Sequence, residues 1–177
     1  MDQPDSLIIG PTEGFSPGMG HLVGMMTYVR WTTLRAVEGL TVAQLDHLHD
    51  ASSNSIGALL AHIASVELGY QRATFGGRGV VLPNEAELMA AVELGDRARR
   101  EIRGQPLEHY VGMLEAARQF TLDELACRDD TWLDETTEFS SGRKTIKVNN
   151  YFKWFHVFED ELNHRGQIRW LRHRLPA

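Results

Sequence analysis

Residues 156–170 read His-Val-Phe-Glu-Asp-Glu-Leu-Asn-His-Arg-Gly-Gln-Ile-Arg-Trp, and this stretch decides the fold. Its apolar residues recur at three- and four-residue spacings, so it is a helix. An α-helix turns 100° per residue, so positions i, i+4 and i+8 drift by only about 80° in total. His156, Asp160 and His164 therefore share one stripe, and Gln167 continues it. Val157, Ile168 and Leu171 flank that stripe on one side, with Phe155, Phe158 and Leu162 on the other. Residues that favour burial thus hem in a polar row, while Glu159, Asn163 and Gly166 fall in a separate sector expected to be exposed. The helix belongs inside a bundle.

Upstream the same periodicity recurs. Leu22, Met25, Met26, Val29, Thr33, Val37 and Leu40 mark a first long helix from Gly18, ended by Gly39. Thr41 and Gln44 have the spacing of a capping box and open a short extra helix. The stretch from Ser52 to Gly77 is a second long helix, with Ser and Asn as N-cap candidates and Gly76-Gly77 as its stop. Pro83-Asn84 begins a more polar helical segment reaching about Gly104, and Pro106 sits where a first-turn proline belongs before the next long helix. Residues 129–148 break the pattern as a long loop before the last helix, with a small hairpin around Ser141-Gly142, and the last helix runs from about Asn149 to Arg174. Residues 1–17, with three of the six prolines, read as an irregular leader. The expectation is an all-α, antiparallel four-helix bundle in a single domain over 1–177, with the second and last helices adjacent.

Composition excludes several classes. The 177 residues carry a net charge of -6, and the densest basic run, Arg97 to Arg103, is interrupted by Glu101, so no nucleic-acid footprint is expected. No apolar stretch approaches the length of about 20 residues that a membrane span needs. The one cysteine, Cys127, cannot form an internal disulfide, and a reducing, cytoplasmic setting is expected. Met25, Met26, Tyr28, Trp31 and Leu34 surround much of the first helix and point to a homodimer.

The polar row permits two readings. A buried carboxylate and imidazole need partners, and residues four apart can satisfy each other. Two ligands at i and i+4 can equally grip one cation. His62 stands on the apolar side of the second helix beside Leu59, Ile63 and Val66. With Asp160 and His164 it would make an N,O,N ligand set that keeps positions open and suits zinc, nickel, iron or manganese. Glu161 with His164 gives half of a diiron signature, but no second Glu-x-x-His exists. Glu67 is a general-base candidate only.

"HVFEDELNHRGQIRWL", preceded by "NNYFKWF" and matched upstream by "SIGALLAHIASVE", resembles the DinB/YfiT-like superfamily of metal-dependent four-helix-bundle proteins. Together with "TEGFSP", these segments look like a branch labelled as a domain of unknown function. The resemblance implies one divalent metal on His62 and on a pair from the last helix, here Asp160 and His164. Asp160 replaces the usual histidine. His156 and Gln167 would line the cavity that takes the cofactor. The resemblance further implies an enzyme activating a low-molecular-weight thiol, such as mycothiol or bacillithiol, or water, for attack on a small-molecule electrophile. The alternative is a non-catalytic, metal-binding or structural dimeric bundle with a self-satisfied buried His/Asp network.

Overall fold

The computed structural model describes residues 7–176 apart from 83, 142 and 143. Its elements are α1 (Pro17–Val37), α2 (Val42–Leu45), α3 (Ile56–Thr74), α4 (Glu85–Glu93), α5 (Gly95–Glu101), α6 (Leu107–Ala126), α7 (Asp130–Asp134), β1 (Thr136–Ser141), β2 (Lys144–Asn149) and α8 (Asn150–Arg172). The four long helices α1, α3, α6 and α8 form the bundle, and the protein is all-α apart from one short hairpin.

Side-chain pairings fix the helix directions. Arg30 reaches the carbonyl of Leu114 while Arg118 reaches that of Met26, so α1 and α6 run antiparallel. His62 faces His164 and Tyr70 faces His156, so α3 and α8 also run antiparallel. Arg165 bonds Thr32 and Arg172 bonds the carbonyl of Ala36, which makes α1 and α8 parallel neighbours. Gly57 meets Tyr110 and Gln71 bonds Thr121, so α3 and α6 are parallel as well. Parallel neighbours need a crossover, and the segment carrying α4 and α5 supplies it between α3 and α6.

Local chemistry explains the element ends. Thr41 and Gln44 make the capping box at α2. Ser55 caps α3 through the amide of Ala58, and Asn149 caps α8 through that of Phe152. The start of α1 is capped from a distance. Asp130 accepts hydrogen bonds from the Ser16 hydroxyl at 2.5 Å and from the amides of Gly18 and Met19 at 2.9 and 3.0 Å. A carboxylate at a helix N-terminus satisfies orphan donors and opposes the dipole.

Two sequence expectations are corrected. The polar segment before Gly104 is two helices, because Leu94 at φ 54° and Gly95 at φ 63° turn the chain between α4 and α5. The stretch 129–148 holds an unexpected short helix, α7, besides the β1–β2 hairpin expected around Ser141-Gly142, and residues 142 and 143 lie outside the described ones. A third difference concerns Phe155, expected to seek burial but 40% exposed.

The core falls into two apolar clusters. One gathers Leu34, Val37, Leu59, Leu60, Leu114, Ile168 and their neighbours; the other gathers Met19, Leu22, Met26, Phe75, Leu125 and Trp154. Tyr110 in the first cluster is fully buried against Gly57, where an added Cβ would lie 2.7 Å from the phenol oxygen. Gly57→Ala is therefore expected to destabilise the fold by about 1–3 kcal/mol through overpacking, read as a lower urea midpoint at unchanged m-value.

Between the clusters lies a layer of charge. Arg30 from α1, Glu67 from α3, Arg118 from α6 and Glu161 from α8 are all buried, and both glutamates are fully so. Arg30 donates to Glu161 at 2.9 Å and to Glu67 at 2.9 Å. Arg118 donates to Glu67 at 2.8 Å and to Glu161 at 3.3 Å. Each arginine spends its remaining fork nitrogen on a backbone carbonyl of the other arginine's helix. The four formal charges sum to zero, so the layer is internally neutralised.

Candidate metal centre

His62 comes from the middle of α3, and Asp160 and His164 lie one turn apart on α8. Antiparallel docking brings them together, with one ligand atom from each within 4.8 Å of the others. His62 Nε2 lies 3.8 Å from Asp160 Oδ2, and His164 Nε2 lies 3.5 Å from Asp160 Oδ1. The two imidazoles meet edge to face with centroids 4.6 Å apart. All three side chains are largely, though not wholly, removed from solvent.

Hydrogen bonding presets the cluster. His62 Nδ1 lies 2.8 Å from the carbonyl oxygen of Ala91 on α4. A carbonyl only accepts, so Nδ1 carries the proton and Nε2 turns its lone pair toward Asp160. Burial pushes the His62 imidazole below its ordinary value, helped by neighbouring His164 and opposed by the Ala91 carbonyl and Asp160. A neutral ring is the form that binds a metal.

The donor set fits a divalent cation on an observation internal to the site. Asp160 Oδ2 and His164 Nδ1 are buried without a hydrogen-bond partner. Separations of 3.5 and 3.8 Å are too long for the three groups to satisfy one another by hydrogen bonds. Two ligands at about 2.0–2.2 Å from one ion stand about 3–3.6 Å apart, close to what is found here. His62, Asp160 and His164 could hold such an ion while leaving coordination positions free.

The other residues of the row are elsewhere. His156 is half-exposed and bonds Glu159 through Nδ1 at 2.8 Å, not Asp160. Its ring stacks on Phe152 and meets the edge of Tyr70. Gln167 is exposed and lines a shallow groove with Ser53, Asn54, Asn163 and Trp170. Glu67 is no general base: its carboxylate lies at the core of the charge layer. Burial alone would raise its pKa, but Arg118 and Arg30 hold it down to about 2, leaving no proton affinity near neutrality. Glu161 points into the same layer, away from the histidines, so it takes no part in a diiron site. Tyr70 was not foreseen. Burial, with Asp160 nearby, raises its phenol above the ordinary value and keeps it protonated.

Residues 21–177 match the family described as Mycothiol-S-transferase. The chain belongs to the mycothiol-S-transferase family. That family falls within a DinB/YfiT-like, metal-dependent superfamily, in agreement with the resemblance read from residues 156–171. No curated protein matches the chain. Among solved structures, the crystal structure of the conserved protein of locus from Enterococcus faecalis has a TM-score of 0.65 at 14% identity, covering 86% of this chain and 93% of that one. At that identity the likeness concerns the fold alone. For a mycothiol-S-transferase family member, a His/Asp cluster that could hold a metal and a helical bundle are the coherent combination. No helix among the described residues is long and apolar enough to cross a membrane.

Proposed function

We propose that this protein is a metal-dependent thiol S-transferase that joins a low-molecular-weight thiol, mycothiol or a close analogue, to a small electrophile. One observation carries the reading: a two-histidine, one-carboxylate cluster with buried polar atoms on Asp160 and His164 that have no hydrogen-bond partner, in a chain of the mycothiol-S-transferase family. A bound divalent cation lowers the pKa of a thiol or water beside it and so supplies a nucleophile at neutral pH. The protein's part is orientation. Ala91 holds His62 in one tautomer, and Asp160 balances charge with a single carboxylate. The thiolate sulfur forms a bond to the electrophilic carbon, the leaving group departs with its bonding pair, and the thiol proton passes to water.

The seam between α3 and α8 changes character on either side of the cluster. Toward the end of α8, Ser53, Asn54, Asn163, Gln167 and Trp170 line a groove of about 570 Å³. Amides and hydroxyls there suit the polyhydroxylated body of a mycothiol-like thiol, and Gln167 follows His164 by one turn on the same helix. Toward the start of α8, Tyr70, Phe152 and Phe155 offer an apolar ledge for the electrophile. A protonated Tyr70 can donate a hydrogen bond to the leaving group. Zinc-loaded protein titrated with mycothiol in a calorimeter tests the assignment. Asn163→Ala/Gln167→Ala is expected to weaken mycothiol about 10-fold or more, through loss of hydrogen bonds worth about 1 kcal/mol each, while leaving cysteine binding unchanged. Equal loss for both thiols would reject the groove.

The self-satisfied His/Asp network of a structural bundle is disfavoured, because Asp160 Oδ2 and His164 Nδ1 have no partner. A homodimer is proposed through α1, where exposed Tyr28 and the apolar residues 7–9 border a groove lined by Val23, Gly24 and Thr27. Light scattering is expected to give twice the 20.0 kDa chain mass, and a monomer throughout the micromolar range would rule it out.

A further inference from the structure

The charge layer lies at the level of the candidate metal centre. Glu161 follows Asp160 on α8, and Glu67 is five residues beyond His62 on α3. Above and below it lie the two apolar clusters, and apolar contacts between helices are non-directional. Leucine against leucine tolerates a shift of one helix along another; a forked arginine on two carboxylates does not. Both arginines bridge Glu67 of α3 to Glu161 of α8, and each is tied by a carbonyl to the helix of the other. A slip of α8 by one turn, about 5.4 Å, would break those bridges and carry Asp160 and His164 out of reach of His62. Buried ion pairs seldom add net stability compared with apolar replacements, and their best-attested use is to specify register.

We infer that Arg30 and Arg118, with Glu67 and Glu161, are positioning residues that set the register of α3 against α8 and thereby hold His62 against Asp160 and His164. The inference concerns the geometry of the metal-free protein, so it stands or falls independently of the proposed transferase reading. Zinc affinity adds a second readout only if that reading holds.

The test replaces the whole layer with apolar residues of similar volume: Arg30→Met, Glu67→Leu, Arg118→Met and Glu161→Leu together. A second variant, Arg30→Lys/Arg118→Lys, keeps the charges and removes the forks. A control, Leu45→Ala, lowers stability at a fully buried position in α2 without touching the layer. The metal-free readout is the nuclear Overhauser contact between the rings of His62 and His164, whose centroids lie 4.6 Å apart. The wild type and Leu45→Ala should show it. The apolar variant should keep a urea midpoint at or above wild type, lose the ring contact, and bind zinc about 10-fold or more weakly, the scale on which supporting groups act on metal ligands. The lysine variant should show a weakened contact and a smaller loss of zinc affinity. An apolar variant with the ring contact intact overturns the inference. If that variant does not fold, an undiminished contact in the lysine variant overturns it instead. Absence of zinc binding in wild type would sink the metal reading while the ring contact still decides the register.

Discussion

Replacing His164 by alanine is expected to lower divalent-metal affinity by more than about 100-fold, beyond the 10- to 100-fold that loss of a merely supporting group costs. The proposed centre offers three protein ligands among the described residues, and His164 supplies one of its two nitrogens. Truncation also leaves Asp160 Oδ1 without its nearest cationic or imidazole neighbour on α8. His156→Ala is the internal contrast, because His156 bonds Glu159 and stands outside the cluster, so metal content should remain at wild-type level. Asp160→His should retain metal but shift the preference from manganese toward zinc, since imidazole is a softer donor than carboxylate. Competitive titration of zinc against manganese, on protein purified without a histidine tag, measures all three. Equal metal content in wild type and His164→Ala would refute the centre, and an unchanged preference in Asp160→His would place Asp160 outside the coordination sphere.

The largest effect on stability is expected from Glu67→Ala. Removing this carboxylate leaves Glu161 as the one carboxylate partner of both arginines, with Arg118 reaching it only at 3.3 Å, while their backbone-carbonyl bonds carry no compensating charge, all inside the core. Breaking a buried pair on one side costs about 3–5 kcal/mol, because the remaining charge is uncompensated. That is a large fraction of a typical stability of about 5–15 kcal/mol, so the variant should unfold at a much lower urea concentration. The pH dependence carries the same signature. Glu67 is held down to about 2 against an ordinary 4.5. A carboxylate with a depressed folded-state pKa contributes fully above its unfolded value and loses that contribution as pH falls through the folded value. Wild type should therefore lose stability between about pH 4.5 and pH 2, and Glu67→Ala should show a flatter acid limb across that window. A change below about 1 kcal/mol at pH 7 would contradict the burial of an obligatory ion layer.

The contrast between these two sites shows what a linear reading can reach. His62, Asp160 and His164 were legible because histidines and a carboxylate at i and i+4 on apolar-flanked helices are chemically conspicuous. The charge layer was equally present as one charged residue on the apolar stripe of each long helix: Arg30 after Met26, Glu67 after Ala64, Arg118 after Leu114, Glu161 after Phe158. On a single helix such a residue looks like a long side chain reaching solvent, and Glu67 read as a possible base. Only the sum over four helices, two positive and two negative, identifies it. That sum requires knowing that the helices meet at one level.

The positions of the four long helices, the capping box of Thr41 and Gln44, and the stop at Gly76-Gly77 follow from short-range rules, and the sequence by itself determined them. So did the placing of Asp160 and His164 on one face of α8, because helical geometry relates residues four apart without outside help. Tertiary structure alone decided the rest. The break at Leu94-Gly95 has no unmistakable local signal, and the docking of α4 that sets the Ala91 carbonyl against His62 has none either. Asp130 caps α1 from more than a hundred residues away. His156 follows Glu159 rather than Asp160, since its ring is held between Phe152 and Tyr70. Periodicity orients a side chain about its own helix axis, whereas the height at which two helices dock is set by contacts between residues far apart in the chain.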